Sequence, residues 1–305
     1  MDRSARTHHV ARAVPAGPAA ASRQDPTWLD QEYDDRQRFP DHGHVLGRWA
    51  QASTLVRGAA SRRLGVHYGD GTHADETLDI YPAPAANAPV LVFLHGGWFR
   101  ALDAATHAFL APSFTADGAM VVIPDTTPSP AGTVEQMALQ LTRALAWTWR
   151  HAALYGGDPS RIVVAGHGSG GTLAAMLLSC RWKDVDPGLP AQLVTGALAI
   201  SALYDLEPLR HAPFVKDDLK LTPASVRRLS PAFFPRPRRP LYTVAGGDES
   251  SEFLRQNLLI REQWGPTSVP VCETLSGATH HTVLHNLADP NGRLHDLALR
   301  LLGLH

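Results

Sequence analysis

Short apolar runs alternating with helical patterns predict an α/β fold: a mainly parallel sheet with helices on both faces. Two observations carry this. The runs Pro89 to Leu94, Gly118 to Pro124 and Ile162 to Ala165 are apolar throughout instead of alternating, as strands buried on both faces are. The third run continues through a glycine-dense corner, Gly166-His167-Gly168-Ser169-Gly170-Gly171, into the apolar stripe Leu173 to Leu177. That pattern reads as strand, sharp turn, helix, with glycine supplying conformations that other residues resist.

Residues 1–25 contain Ala, Arg and Pro but no continuous apolar stretch, so they read as a disordered tail and not as a secretory signal. Residues 26–305 read as one domain. Trp28 to Ala60 holds two helical pieces divided by Pro40, and residues 27–60 are expected to wrap the domain or cover a site. Strands Arg63 to Tyr68 and Thr77 to Tyr81 flank Gly69-Asp70-Gly71, a turn whose residues tolerate positive φ. A long helical pattern spans Val134 to His151, and a loop, Tyr155-Gly156-Gly157-Asp158-Pro159, leads to the next strand. Leu193 to Ser201 reads as a strand. Asp205 to Phe234 reads as irregular or helical with a Ser230-Pro231 break, and residues 206–234 form a second candidate cover. Strand Pro240 to Ala245, a helix from about Ser250 to Trp264, strand Val269 to Leu275 and helix Leu294 to Leu302 complete the chain.

Composition narrows the partners. The 305 residues are 44% hydrophobic and 19% charged, with a formal net charge of -1, which provides no global field for nucleic acid or an anionic membrane. No apolar run reaches the roughly 18 residues of a membrane span, so a small-molecule substrate and a cytoplasmic location are expected. The two cysteines, Cys180 in the helix after the corner and Cys272 in a later strand, are expected to be buried free thiols. None of the 16 histidines falls in a zinc-ligand spacing, and His42-Gly43-His44 is too little to claim a metal, so neither metal nor cofactor is expected.

In parallel sheets reactive groups gather at the carboxyl ends of strands, here after Leu94, Ala165, Ala245 and Leu275. A G-x-S-x-G nucleophile elbow mounts its serine on such a strained strand-to-helix turn. Between Gly166 and Gly170 the central residue is Gly168, and the nearest hydroxyl is one step on, at Ser169. After Leu94 comes His95-Gly96-Gly97-Trp98, whose glycines allow backbone N–H groups to face a developing negative oxygen, although a Gly-Gly pair also serves simple chain reversal. The Ser169 N–H would be a second donor whatever its hydroxyl does. Asp248 and Glu249 follow Ala245, where either could orient a histidine or simply favour a helix N-terminus. His280, in Thr279-His280-His281, follows the last strand, and the order elbow, acid, histidine suits a catalytic base better than an incidental one.

With these motifs assembled, the chain resembles the kynurenine formamidase (arylformamidase)-like branch of the α/β-hydrolases, close to small bacterial esterases. The resemblance runs from about Trp28 onward, through Tyr33-Asp34-Asp35-Arg36, Thr77-Leu78-Asp79-Ile80-Tyr81, His95 to Asp103, Ile200 to Leu209, Glu249 to Gln256 and the His280 segment. It implies an α/β-hydrolase fold, with Glu249 as acid and Asp248 as fallback, His280 as base, and Gly96, Gly97 and Trp98 on the oxyanion loop. The chain departs from the family's Gly-His-Ser-Ala-Gly-Gly in carrying Gly168 where the serine belongs, and from Asn-Tyr-Asp-Leu in Asp125-Thr126-Thr127-Pro128. Three readings follow. The first is chemistry without a covalent serine intermediate, as a non-covalent hydrolase, lyase or cyclase acting on a small acyl, ester or amide-like substrate. The second is covalent hydrolysis with Ser169 as a displaced nucleophile. The third is a catalytically dead protein that binds ligands in the old pocket.

Overall fold

The structure, a computed structural model, describes residues 25–59 and 62–304; the tail expected over 1–25 lies outside them except for Asp25. Eight strands form one sheet: β1 (Arg63–His67), β2 (Thr77–Tyr81), β3 (Ala88–Leu94), β4 (Met120–Pro124), β5 (Gly157–His167), β6 (Val194–Ile200), β7 (Leu241–Gly246) and β8 (Val271–Leu275). Their spatial order is β1-β2-β4-β3-β5-β6-β7-β8. β1 and β2 run antiparallel to each other and β2 to β4, and every pairing from β4 through β8 is parallel.

The continuous apolar runs fill two cores because successive side chains of a strand point to opposite faces. Val90, Val92 and Leu94 of β3, with Ile162 and Val164 of β5, pack on one face with Leu141, Leu145 and Leu173. Leu91 and Phe93, with Val163 and Ala165, pack on the other with Phe114, Leu294 and Leu297. The helix Val134–His151 starts at a capping box in which Thr133 and Gln136 satisfy each other's backbone N–H groups.

Several boundaries differ from the sequence pattern. The stretch Tyr155 to Pro159, expected as a loop, already belongs to β5 from Gly157 onward, since Gly157 pairs with Ala88 ahead of a register irregularity. Turn-forming residues hid a strand end there that only its neighbour defines. The helix after β7 runs Ser251–Ser268 but leaves helical geometry at Gly265, φ 78°, one residue beyond the expected end. Short helices at Ala104–His107, Ala111–Ala116 and Val283–Ala288 span too few turns to leave a periodic signal. Both thiols are free but only half-buried, and Cys180 lies past the end of its helix at Leu178.

At the corner after β5 the backbone itself is the packing element. A Cβ on Gly166 would run into the Gly170 carbonyl, and one on Gly170 into the carbonyls of Leu94 and His95. The elbow helix, Ser169–Leu178, can therefore lie against β3 only while both positions lack side chains. Gly47 in the helix His42–Gly58 has nothing within 4 Å of its Cβ position. Urea unfolding should then show Gly170→Ala losing at least about 3 kcal/mol through forced backbone displacement, whereas Gly47→Ala gains up to about 1 kcal/mol.

Candidate active site

The carboxyl ends of β3, β5, β7 and β8 bring together most of the residues singled out in the sequence. Glu249 lies beyond β7 and His280 beyond β8, both nearly fully buried. His280 Nδ1 is 2.9 Å from Glu249 Oε2. The other carboxylate oxygen, Oε1, accepts from Gly246 N at 2.6 Å and from Ser201 Oγ at 2.5 Å. A carboxylate gripped this way holds Nδ1–H toward itself and leaves Nε2 to face the elbow. Asp248 is exposed, with its N–H donated to the Ala278 carbonyl, and is not brought to His280.

At the elbow, Gly168 adopts φ 54° and ψ −120°, the strained turn on which this architecture mounts a nucleophile. A Cβ there would lie 3.3 Å from His280 Nε2 and 3.5 Å from Cε1. The Ser169 hydroxyl is engaged elsewhere: its Oγ accepts from Phe99 N at 3.2 Å. Ser169 opens the helix, so its N–H has no intrahelical acceptor.

The loop after β3 is folded against its own conformational preferences. Gly97 has φ 107°, and Trp98 and Phe99, neither of them glycine, have φ 56° and 59°. Strain of this kind persists where the surroundings over-determine it. Gly97 O accepts from both Arg100 N and Ala101 N, whereas the N–H groups of Gly97 and Trp98 make no hydrogen bond among the described residues. His95 Nδ1 is 2.9 Å from Gly96 O and its Nε2 is 3.4 Å from Asp125 Oδ1, which ties the base of the loop to the end of β4.

A second buried carboxylate joins the two loops. Asp35, at the start of the short helix Asp35–Arg38, accepts from Trp98 Nε1 at 3.0 Å through Oδ1 and lies 3.0 Å from His281 Nε2 through Oδ2. Burial alone would raise its pKa, but the His281 hydrogen bond, the nearby imidazoles of His280 and His281 and the Trp98 N–H together hold it well below the usual carboxylate range. His167 Nε2 lies 2.7 Å from the His280 carbonyl, pinning the histidine loop from beneath. Burial, followed by the proximity of His280 and His281, pushes the His167 pKa far down, so His167 stays neutral. Asp35 stood within Tyr33-Asp34-Asp35-Arg36, a motif without an assigned role. Ser201 stood within Ile200 to Leu209 and His167 within the elbow motif, likewise without an assigned role.

Between Gly97, Trp98, Gly168, Ser169, Leu203, Phe253 and His280 lies a pocket with about 10 Å³ open to the centre of a water molecule. That is about the room one water needs. The Trp98 ring stacks on His280 at 6.4 Å between centroids, and Phe253 lies at 4.8 Å. Phe214 in turn meets Trp98 edge-on at 5.0 Å and carries the guanidinium groups of Arg36 and Arg100 about 6 Å from its ring. No group of His, Cys, Asp and Glu able to hold a metal occurs among the described residues, and none of the described helices is long and apolar enough to cross a membrane.

Comparison with known proteins places the fold. The family described as α/β hydrolase fold matches residues 91–258. The chain is similar to kynurenine formamidase of Danio rerio, 26% identical over 81% of this chain and 84% of that one. Carboxylesterase NlhH of Mycobacterium tuberculosis is 33% identical over 37% of this chain and 36% of its own. Among solved structures, an esterase of Pyrobaculum calidifontis superposes with a TM-score of 0.64 at 18% identity, covering 93% of this chain and 98% of that one.

Opposing effects act on His280. Burial pushes its pKa down, but the charge and hydrogen bond of Glu249, with Asp35 adding, outweigh it, and the net shift is upward. In Glu249→Gln burial should win, so an NMR titration of the imidazole is expected to place the His280 midpoint above its ordinary value in the wild type and below it in the variant.

Proposed function

The chain belongs to the α/β-hydrolase fold family, as a hydrolase of the esterase and formamidase type, and we propose that it cleaves a small ester or formamide without a covalent serine intermediate. One observation carries the reading. Gly168 holds the elbow geometry with no hydroxyl, while the base that would serve that hydroxyl stands complete opposite it. The neighbouring Ser169 Oγ is committed to Phe99 N, which speaks against its acting as a displaced nucleophile.

In this mechanism a water occupies the room beside Gly168 and donates a proton to His280 Nε2 as its oxygen attacks the acyl carbon. The carbonyl π electrons move to the oxygen, and the resulting oxyanion is met by the N–H groups of Gly97, Trp98 and Ser169, each donor being worth about 3 kcal/mol in comparable sites. Glu249 keeps the imidazole oriented and stabilises its positive form. Collapse re-forms the carbonyl, breaks the bond to the leaving alcohol or amine, and returns the proton from Nε2 to that group. The products are a carboxylic acid and an alcohol, or formic acid and an amine. Asp35 acts as a positioning residue through Trp98 and His281. The two candidate covers, 27–60 as far as it is described and 206–234, contribute Asp35 and Phe214, which both reach Trp98 and support their place over the site. The formamidase and carboxylesterase relatives support the substrate class.

An activated aryl ester and an aryl formamide serve as test substrates. His280→Ala should lower kcat by about 100-fold or more, while Ser169→Ala stays within a few-fold of wild type. A serine-directed fluorophosphonate should leave the wild type unlabelled and label Gly168→Ser, in which the imidazole must yield a few tenths of an ångström to the new side chain. Labelling of Ser169 together with loss of turnover in Ser169→Ala would establish the displaced-serine route instead. Ligand binding with no turnover of either substrate would establish the binding protein.

The base works only when deprotonated, and its pKa is raised. The acid limb of kcat/KM should therefore have its midpoint above about 6.5, the ordinary imidazole value. A limb below that value would show that His280 is not the base.

A further inference from the structure

A second concavity lies at the opposite end of the sheet from the elbow. It opens beside Val194, the first residue of β6, and is bordered by Phe234 to Arg239, the segment leading into β7. β6 is seven residues long, so at about 3.3 Å per residue roughly 20 Å separate the two ends. The groove has a volume of about 460 Å³, within the usual range for small-ligand sites of about 300–1,000 Å³.

Its chemistry differs from that of the rest of the molecule. The whole chain carries 28 Lys and Arg against 29 Asp and Glu, yet this one groove is lined by Arg181, Lys183, Arg236, Arg238 and Arg239 with no acidic side chain in its wall. Arg181 pairs with Asp184, and Lys183 Nζ donates to Pro187 O at 2.8 Å. Arg236, Arg238 and Arg239 are exposed and have no carboxylate partner among the described residues. Part of this positive charge balances the carbonyl end of the elbow helix, which stops at Leu178 beside the groove. Three unpaired guanidinium groups exceed what one helix end requires.

A further feature suits a ligand. The arginines lie in Pro235-Arg236-Pro237-Arg238-Arg239-Pro240, where three prolines restrict the backbone and reduce the ordering cost of binding. Ser268 Oγ anchors that segment by donating to Pro237 O at 3.0 Å. Leu178 and Ser179, at the end of the elbow helix, border the groove as well.

We propose that this groove binds a small, multiply charged phosphate, either a phosphate ester or a polyphosphate, at a site separate from the catalytic one. Guanidinium groups match phosphate oxygens in bidentate geometry, and the groove's size favours a compact soluble anion over an extended polymer or a membrane.

Inorganic pyrophosphate is the probe, titrated calorimetrically into the full-length protein at constant ionic strength. The expected result is saturable one-to-one binding, weakened at least tenfold in R236Q/R238Q/R239Q, with His280→Ala binding as the wild type does. Aryl-ester turnover without pyrophosphate should be the same in the triple variant as in the wild type, and circular dichroism confirms that the variants are folded. Equal binding by the triple variant, binding lost in His280→Ala, or heats no larger than those of sodium chloride at matched ionic strength would each overturn the proposal. So would co-sedimentation with phosphatidylglycerol vesicles in the absence of pyrophosphate binding, which would identify a membrane-surface patch instead.

Discussion

The contact on which the site depends is between backbones. Gly170 passes beneath the carbonyls of Leu94 and His95, and Gly166 passes beneath that of Gly170, at separations that leave no room for a Cβ. This approach joins the end of β3 to the start of the elbow helix. The positive φ of Gly168 falls within this same corner, between the two glycines. A turn of this shape would be a costly way merely to connect a strand to a helix. It persists here although the residue at its apex carries no reacting group.

Around that point two buried carboxylates organise two histidines. Burying ionised groups is costly unless each is paired and hydrogen-bonded, and both carboxylates meet that condition. Glu249 is held by Gly246 N, Ser201 Oγ and His280, and Asp35 by Trp98 Nε1 and His281. Because Asp35 reaches the loop after β3 and the histidine loop together, the short helix Asp35–Arg38 is tied to both. The ring of Trp98 completes the link by stacking on His280 and meeting Phe214.

Much of this was legible in the residue pattern. Thr77–Tyr81 and Val134–His151 match their apolar patterns residue for residue, because long runs and strong periodicity outweigh local ambiguity. The start of β5 was not legible, since Gly157 and Pro159 are turn formers locally and become part of a strand only through pairing with β3. The short helices around Phe114 and Leu284 escaped for a related reason, as four to six residues cannot display a helical period.

The same division holds at the site. Sequence alone determined that the elbow lacks its serine, that a glycine loop precedes it, and that an acid and a histidine follow in order, because these are statements about residue identity and spacing. Tertiary structure decided between Glu249 and Asp248 as the partner of His280, and it turned the Ser169 hydroxyl toward Phe99. It also brought Asp35 and Ser201 into contact with residues more than 40 positions away. Spacing along a chain cannot specify which way a side chain points after a turn. That direction is set by the backbones that pack against the turn, and here by the carbonyls above Gly170.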